Sequence, residues 1–244
     1  MTIERIVAGM TDRPPRAPWK VKDMLWASLA ATLFIGIGAV ILVILYLIAR
    51  FLGWSGTSTT SFAILILALE AVLLVPAWVW GPSKYGGGWR ALGLRRFKFF
   101  RAVLLVVISL VLVIVSEFAW ELARERLGWA DQGDILSMFG GGISGLLMAL
   151  LLGGVLVPIA EEVFFRGFLY AGMRERWGTG WALVVSALIF ALIHLTPGVL
   201  PPLFVIGLLL AYLYERTDSL WPSILLHAVI NSMAFISLYL TTTL

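Results

Sequence analysis

The sequence predicts an all-α, polytopic transmembrane helix bundle, and three observations predict it. Hydrophobic residues make up 61% of the 244-residue chain and charged residues only 13%, where a soluble domain carries about 25% charge. The mean hydropathy is +0.98. The apolar residues also come in continuous blocks near the roughly 20 residues that cross a hydrocarbon core as helix. Inside the blocks Leu, Val, Ile and Ala follow one another without alternation, which reads as helix, and in lipid only helices or closed barrels satisfy every backbone group.

In order, the blocks are Met24–Ala49, Phe62–Trp80, Ala102–Ser116, Ile135–Ala160, Trp177–His194, Val199–Tyr214 and Leu220–Leu240, a count of seven spans. A polar basic arm, residues 1–23, precedes them with Arg5, Arg13, Arg16, Lys20 and Lys22. It is not a cleavable signal peptide, because the apolar run behind it is too long and more spans follow. Residues 24–134 hold three spans with their loops, and residues 135–244 form the bundle in which unusual polar side chains gather. Lys84, Arg90, Arg95, Arg96, Lys98 and Arg101 follow the second span, Arg174 and Arg176 the fourth, and Arg216 the sixth. Arg124 and Arg126 beyond the third span lessen the contrast, yet the positive-inside rule puts the N-terminus in the cytoplasm and, with seven spans, the C-terminus outside.

Two places depart from regular helix. Ile135–Arg176 exceeds one straight span at about 1.5 Å per residue, and Gly153, Gly154 and Pro158 favour a kink or break within it. A full break gives eight spans and moves the C-terminus to the other side. The second place is Thr196-Pro197-Gly198 with Pro201-Pro202, directly after His194. It reads either as a cavity wall, where irregular backbone is tolerated at membrane depth, or as a short external turn.

Composition also narrows the chemistry. With no cysteine, neither disulfides nor a thiolate metal site can form. The net charge of +4 resides in loops between apolar blocks, so it points to membrane orientation and to no nucleic-acid partner.

Ionisable groups inside spans are costly and face a bundle interior or water, which makes each a functional candidate. Both histidines of the chain, His194 and His227, lie in apolar stretches, and Glu161, Glu162 and Arg166 interrupt another. Glu162 and Arg166 are four apart and can pair on one helix face. Glu161 is rotated by roughly 100° from Glu162 and is less easily neutralised by that arginine. The spacing therefore assigns Glu162 a structural task and Glu161 a chemical one. His227 and Asn231 share a face in the same way, and Phe190 lies one turn before His194. Taken singly, a Glu–Arg clamp, a core histidine or an asparagine serving as interhelical glue is the plainer reading. Together, a carboxylate, two imidazoles and an amide supply a base, a proton relay and oxyanion donors for hydrolysis. Glu70 and Glu117, without a basic partner at helical spacing, are read as structural or interfacial.

These residues resemble a known family. Glu161-Glu162-Val163-Phe164-Phe165-Arg166 fits an EExxxR motif, Phe190 to His194 fits FxxxH, and His227 to Asn231 fits HxxxN. Their order across the last four spans is similar to the CPBP family of intramembrane proteases, which includes the type II CAAX prenyl proteases and the bacteriocin-processing or immunity proteins. The resemblance covers about Ile135 to Phe235. It implies an intramembrane endopeptidase in the cell membrane that acts on a membrane-tethered, in one branch prenylated, peptide or protein. It further implies a water activated by Glu161 with His194, an oxyanion met by His227 and Asn231, and a helix held by Glu162 and Arg166. No cofactor is required by that scheme. A zinc ion on Glu161, His194 and His227, with an open fourth position, is the alternative the same residues allow. A membrane scaffold or immunity protein that binds without cutting is the alternative function, and a proton-coupled transporter is a third, against which no inverted repeat is evident.

Overall fold

A computed structural model of the chain describes residues 17–53, 71–128 and 136–243, and among them no strand occurs. In chain order the helices are α1 (Val21–Phe51), α2 (Leu74–Trp80), α3 (Phe99–Leu127), α4 (Gly142–Leu151), α5 (Val157–Glu162), α6 (Ala171–Leu192), α7 (Leu200–Thr217) and α8 (Leu220–Thr243). Single helical turns at Pro82–Tyr85 and Gly88–Ala91 separate α2 from α3. Two π-helical segments, Leu152–Leu156 and Val163–Tyr170, join α4 to α5 and α5 to α6. The product is a 51-residue helical stretch, Gly142–Leu192, that Gly178 divides into two helices, its φ of 76° and ψ of 167° being non-helical.

Five helical stretches among the described residues are long and apolar enough to cross a membrane, and the chain is an integral membrane protein. Burial agrees with that solvent. Leu25, Ile37 and Leu45 of α1 and Leu104, Val111 and Val115 of α3 are exposed, whereas Glu161, Glu162, Arg166 and His227 are buried. Apolar groups outward and ionisable groups inward is the pattern a bilayer demands. Of the predicted span Phe62–Trp80, residues 62–70 lie outside the described residues, and α2 represents the rest. The predicted irregularity at Gly153-Gly154 is the first π segment, a widened turn and not an interruption. The predicted break after His194 is present, with Leu195 at a φ of 54° leading into a short 3₁₀ turn, Pro197–Val199.

Contacts define the two ends of the bundle. At one end Lys84 Nζ meets Asp23 Oδ1 at 2.5 Å, Arg95 Nη1 faces Asp218 Oδ2 at 3.4 Å and Arg174 Nε pairs with Glu215 Oε2 at 2.7 Å. The Leu220 amide donates to the Gly93 carbonyl at the same end. The start of α1, the 84–96 segment and the α7–α8 turn are thus gathered together. Tyr85 Oη also donates to Asp23, and the hydrogen bond from Lys84 to Asp23 holds the pKa of the Lys84 ammonium above its ordinary value. At the opposite end Trp120 Nε1 donates to the Gly198 carbonyl at 2.7 Å, which seats the turn after His194 against α3.

The described end of the basic arm is not a solvated tail. Ala17 and Trp19 are fully buried, and Trp19 Nε1 donates to the Phe168 carbonyl at 2.9 Å while its ring stacks on Phe168 at 5.2 Å. A π segment breaks the i→i−4 ladder and leaves carbonyls in need of partners; Trp19 supplies one. Gly167 permits the same region to close, since a Cβ there would stand 2.4 Å from the Leu92 carbonyl oxygen.

Candidate active site

The two adjacent acids lie where α5 passes into the second π segment, and both reach α8. Glu162 Oε1 accepts from Arg166 Nη1 at 2.7 Å and from His227 Nδ1 at 2.9 Å. Glu161 Oε2 lies 3.5 Å from His227 Nε2. One imidazole is therefore held between two carboxylates, one at each nitrogen. A carboxylate only accepts, so the bond to Glu162 places a proton on Nδ1 of His227 and turns Nε2 toward Glu161. The expected Glu162–Arg166 clamp is present and buried; its second function, orienting His227, has no trace in the local spacing, because 65 residues separate the partners.

Phe190 organises the remainder. Its ring is 5.0 Å from the His194 ring and 5.7 Å from the His227 ring, both edge-on, and the Arg166 guanidinium sits 4.2 Å from its centroid. A cation over an aromatic face in a desolvated site is worth about 2 kcal/mol. Arg166 also donates from Nη2 to the Gly207 carbonyl at 3.4 Å, where α7 approaches α6 so closely that a Cβ on Gly207 would lie 3.0 Å from Ala187 Cα. Small residues at a helix crossing allow that approach.

His194 closes α6. Its Nδ1 lies 2.8 Å from the Phe190 carbonyl, an acceptor, so the proton belongs on Nδ1 and neutral His194 presents the Nε2 lone pair. Asn231, one turn beyond His227 on α8, donates from Nδ2 to the Gly153 carbonyl at 3.0 Å. Gly153 is in the first π segment, so this amide ties α8 to the widened turn and retains its second N–H. The glycine pair also lets α8 approach, since Cβ atoms on Gly153 and Gly154 would stand 2.7 Å from the Phe235 ring and from Ser232 Oγ.

His194 and Asn231 line a mainly apolar cavity of about 490 Å³, together with Glu117, Leu203, Ile206 and Phe235. Glu117, taken from the sequence as structural or interfacial, faces this cavity from α3. Helical spacing does not find it because its neighbours come from other helices. Among the described residues no three His, Asp or Glu side chains are grouped to hold a metal ion, so the Glu161, His194 and His227 zinc set is not seen as a group there.

The sequence of residues 143–233 matches the family of type II CAAX prenyl endopeptidases, Rce1-like. Relatives include YdiL of Bacillus subtilis (strain 168), named as a candidate membrane peptidase, 23% identical over an alignment of 208 residues that covers 70% of this chain and 84% of that protein. The UPF0177 protein YxdF of Lactococcus lactis subsp. lactis (strain IL1403) is 24% identical over 79 residues, 32% of this chain and 43% of its own length. No solved structure matches the chain.

Proposed function

We propose, from the premise that the chain belongs to the CPBP family through its Rce1-like residues 143–233, that it is an intramembrane endopeptidase using a glutamate-activated water. The observation that carries this reading is the imidazole of His227 held between Glu161 and Glu162 beside an apolar cavity whose wall includes His194 and Asn231.

In this scheme a water stands between Glu161 and the Nε2 lone pair of His194. Glu161 takes its proton as the water oxygen attacks the scissile carbonyl carbon. The charge forming on the carbonyl oxygen is met by the second N–H of Asn231 and by the imidazolium form of His227, whose Nδ1–H is held by Glu162 and whose Nε2–H turns to the oxyanion. Such preorganised donors are worth several kcal/mol in a water-poor site. When the C–N bond breaks, the proton on Glu161 goes to the departing nitrogen. Glu162, Arg166 and Phe190 act as positioning residues. The apolar wall formed by Leu203, Ile206 and Phe235 suits a membrane-tethered, hydrophobic or prenylated substrate.

The same contacts support seven crossings. Asp23 and Lys84 share one end of the bundle with Arg95, Asp218 and Leu220, so α8 alone separates that end from the C-terminus. The parity is odd, and the gathering of Lys84, Arg90, Arg95, Arg96, Arg174 and Arg216 there makes it the cytoplasmic end.

The test is product mapping by mass spectrometry on the purified chain with a matched pair of peptides, one farnesylated and one not. Cleavage by the wild type, lost in Glu161→Ala and in His194→Ala, is the expected result. A wild type that binds the peptide without forming product supports the non-cutting scaffold instead.

A further inference from the structure

The basic end of the bundle contains a second cavity, of about 800 Å³, away from the acids and histidines. It lies between the 90–99 segment and the first turn of α8, and Arg90, Arg95, Arg96, Phe97, Phe99 and Trp221 line it. Three guanidinium groups share this hollow without a carboxylate on its wall. Glu215 and Asp218 line a smaller adjoining cavity with Lys98, Arg101 and Arg216, and it shares Arg96 and Phe97 with the first.

Arg95 is the informative residue. Its backbone carbonyl is fixed by Ser219 Oγ at 2.7 Å, and Nη1 makes one long contact with Asp218 at 3.4 Å. Its Nε and Nη2 are buried and have no hydrogen-bond partner among the described residues. Buried donors left unpaired cost free energy, and Nε with one Nη forms the fork that grips two oxygens of a phosphate. The aromatic rings say which phosphate. Phe97, Phe99 and Trp221 are exposed, and Phe99 and Trp221 begin transmembrane helices, the level at which aromatic side chains meet lipid head groups.

We propose that this cavity is a binding site for the phosphate of an anionic phospholipid, with Arg95 as the fork and Arg90 and Arg96 as flanking charges. The acyl chains descend along the lipid-facing surface of α3 and α8. The site is independent of the proposed proteolysis, and the test reads binding alone.

Native mass spectrometry of the full chain in detergent, titrated with phosphatidylglycerol, phosphatidylcholine or inorganic phosphate, decides it. The wild type retains phosphatidylglycerol at least about tenfold more tightly than phosphatidylcholine. Each arginine removed, in Arg95→Gln or in the exposed pair Arg90→Gln/Arg96→Gln, weakens phosphatidylglycerol roughly fivefold. Lys22→Gln, which removes a charge from the same end outside the cavity, leaves it unchanged. If Arg95→Gln does not fold, the exposed pair carries the test. Equal retention of the two lipids, no effect of the arginine substitutions, an equal effect of Lys22→Gln, or displacement of the lipid by millimolar inorganic phosphate overturns the proposal.

Discussion

At the scale of single residues, the two adjacent glutamates differ in what they hold, and this separates their mutant phenotypes. Glu162 neutralises a fully buried arginine and orients His227. Breaking one partner of a buried pair leaves an uncompensated charge and costs about 3–5 kcal/mol. Glu162→Gln is therefore expected to lower thermal stability in detergent and to lose cleavage, whereas Glu161→Gln loses cleavage and melts near the wild type. Equal melting of the two variants contradicts the division of labour. The sequence makes part of this visible. Four-residue spacing exposes the Glu162–Arg166 pair and sets Glu161 apart from it. The grip of Glu162 on His227 and the place of Glu117 on the cavity wall are invisible there, because they depend on how distant helices are rotated against each other.

At the scale of elements, the widened turns decide the geometry. Gly153, Gly154 and Pro158 mark the first irregularity in the sequence, and a π segment occupies it. The second, Val163–Tyr170, has only Gly167 to announce it. Its shape comes from outside: Trp19 bonds the Phe168 carbonyl, and the Leu92 carbonyl leaves no room for a side chain at position 167. Gly167→Ala is accordingly expected to destabilise the chain by about 1–3 kcal/mol, the usual cost of overpacking, with a lower Tm in a detergent thermal-shift assay. Gly180→Ala, where a Cβ meets nothing within 4 Å, is the control and gains up to about 1 kcal/mol from helix propensity. Equal shifts for both mean that the contact at Leu92 does not constrain this segment. The locking of residues 17–19 into the core is a further feature hidden from composition, which marks the arm as basic and polar while Ala17 and Trp19 are fully buried.

At the scale of the whole molecule, blocks of apolar sequence make the helical membrane fold legible, because a bilayer imposes length and composition on every helix that crosses it. The parity of the crossings is a long-range property, and the proposed odd count rests instead on contacts such as Asp23 with Lys84 and Arg95 with Asp218. The chain has no cysteine, so single thiols report sidedness directly. Lys98→Cys and Arg216→Cys are expected to react with an impermeant maleimide from the cytoplasmic side, and Thr242→Cys from the opposite side. Labelling of all three from one side contradicts seven crossings.

The most direct test of a single shared centre is a double-mutant cycle on single-turnover cleavage, using Glu161→Gln, His194→Gln and the two combined. Groups that act on one water fail together, so the double variant is expected to be no slower than the slower single variant. Losses that multiply, or a single variant that cuts at the wild-type rate, contradict a common centre built from Glu161 and His194.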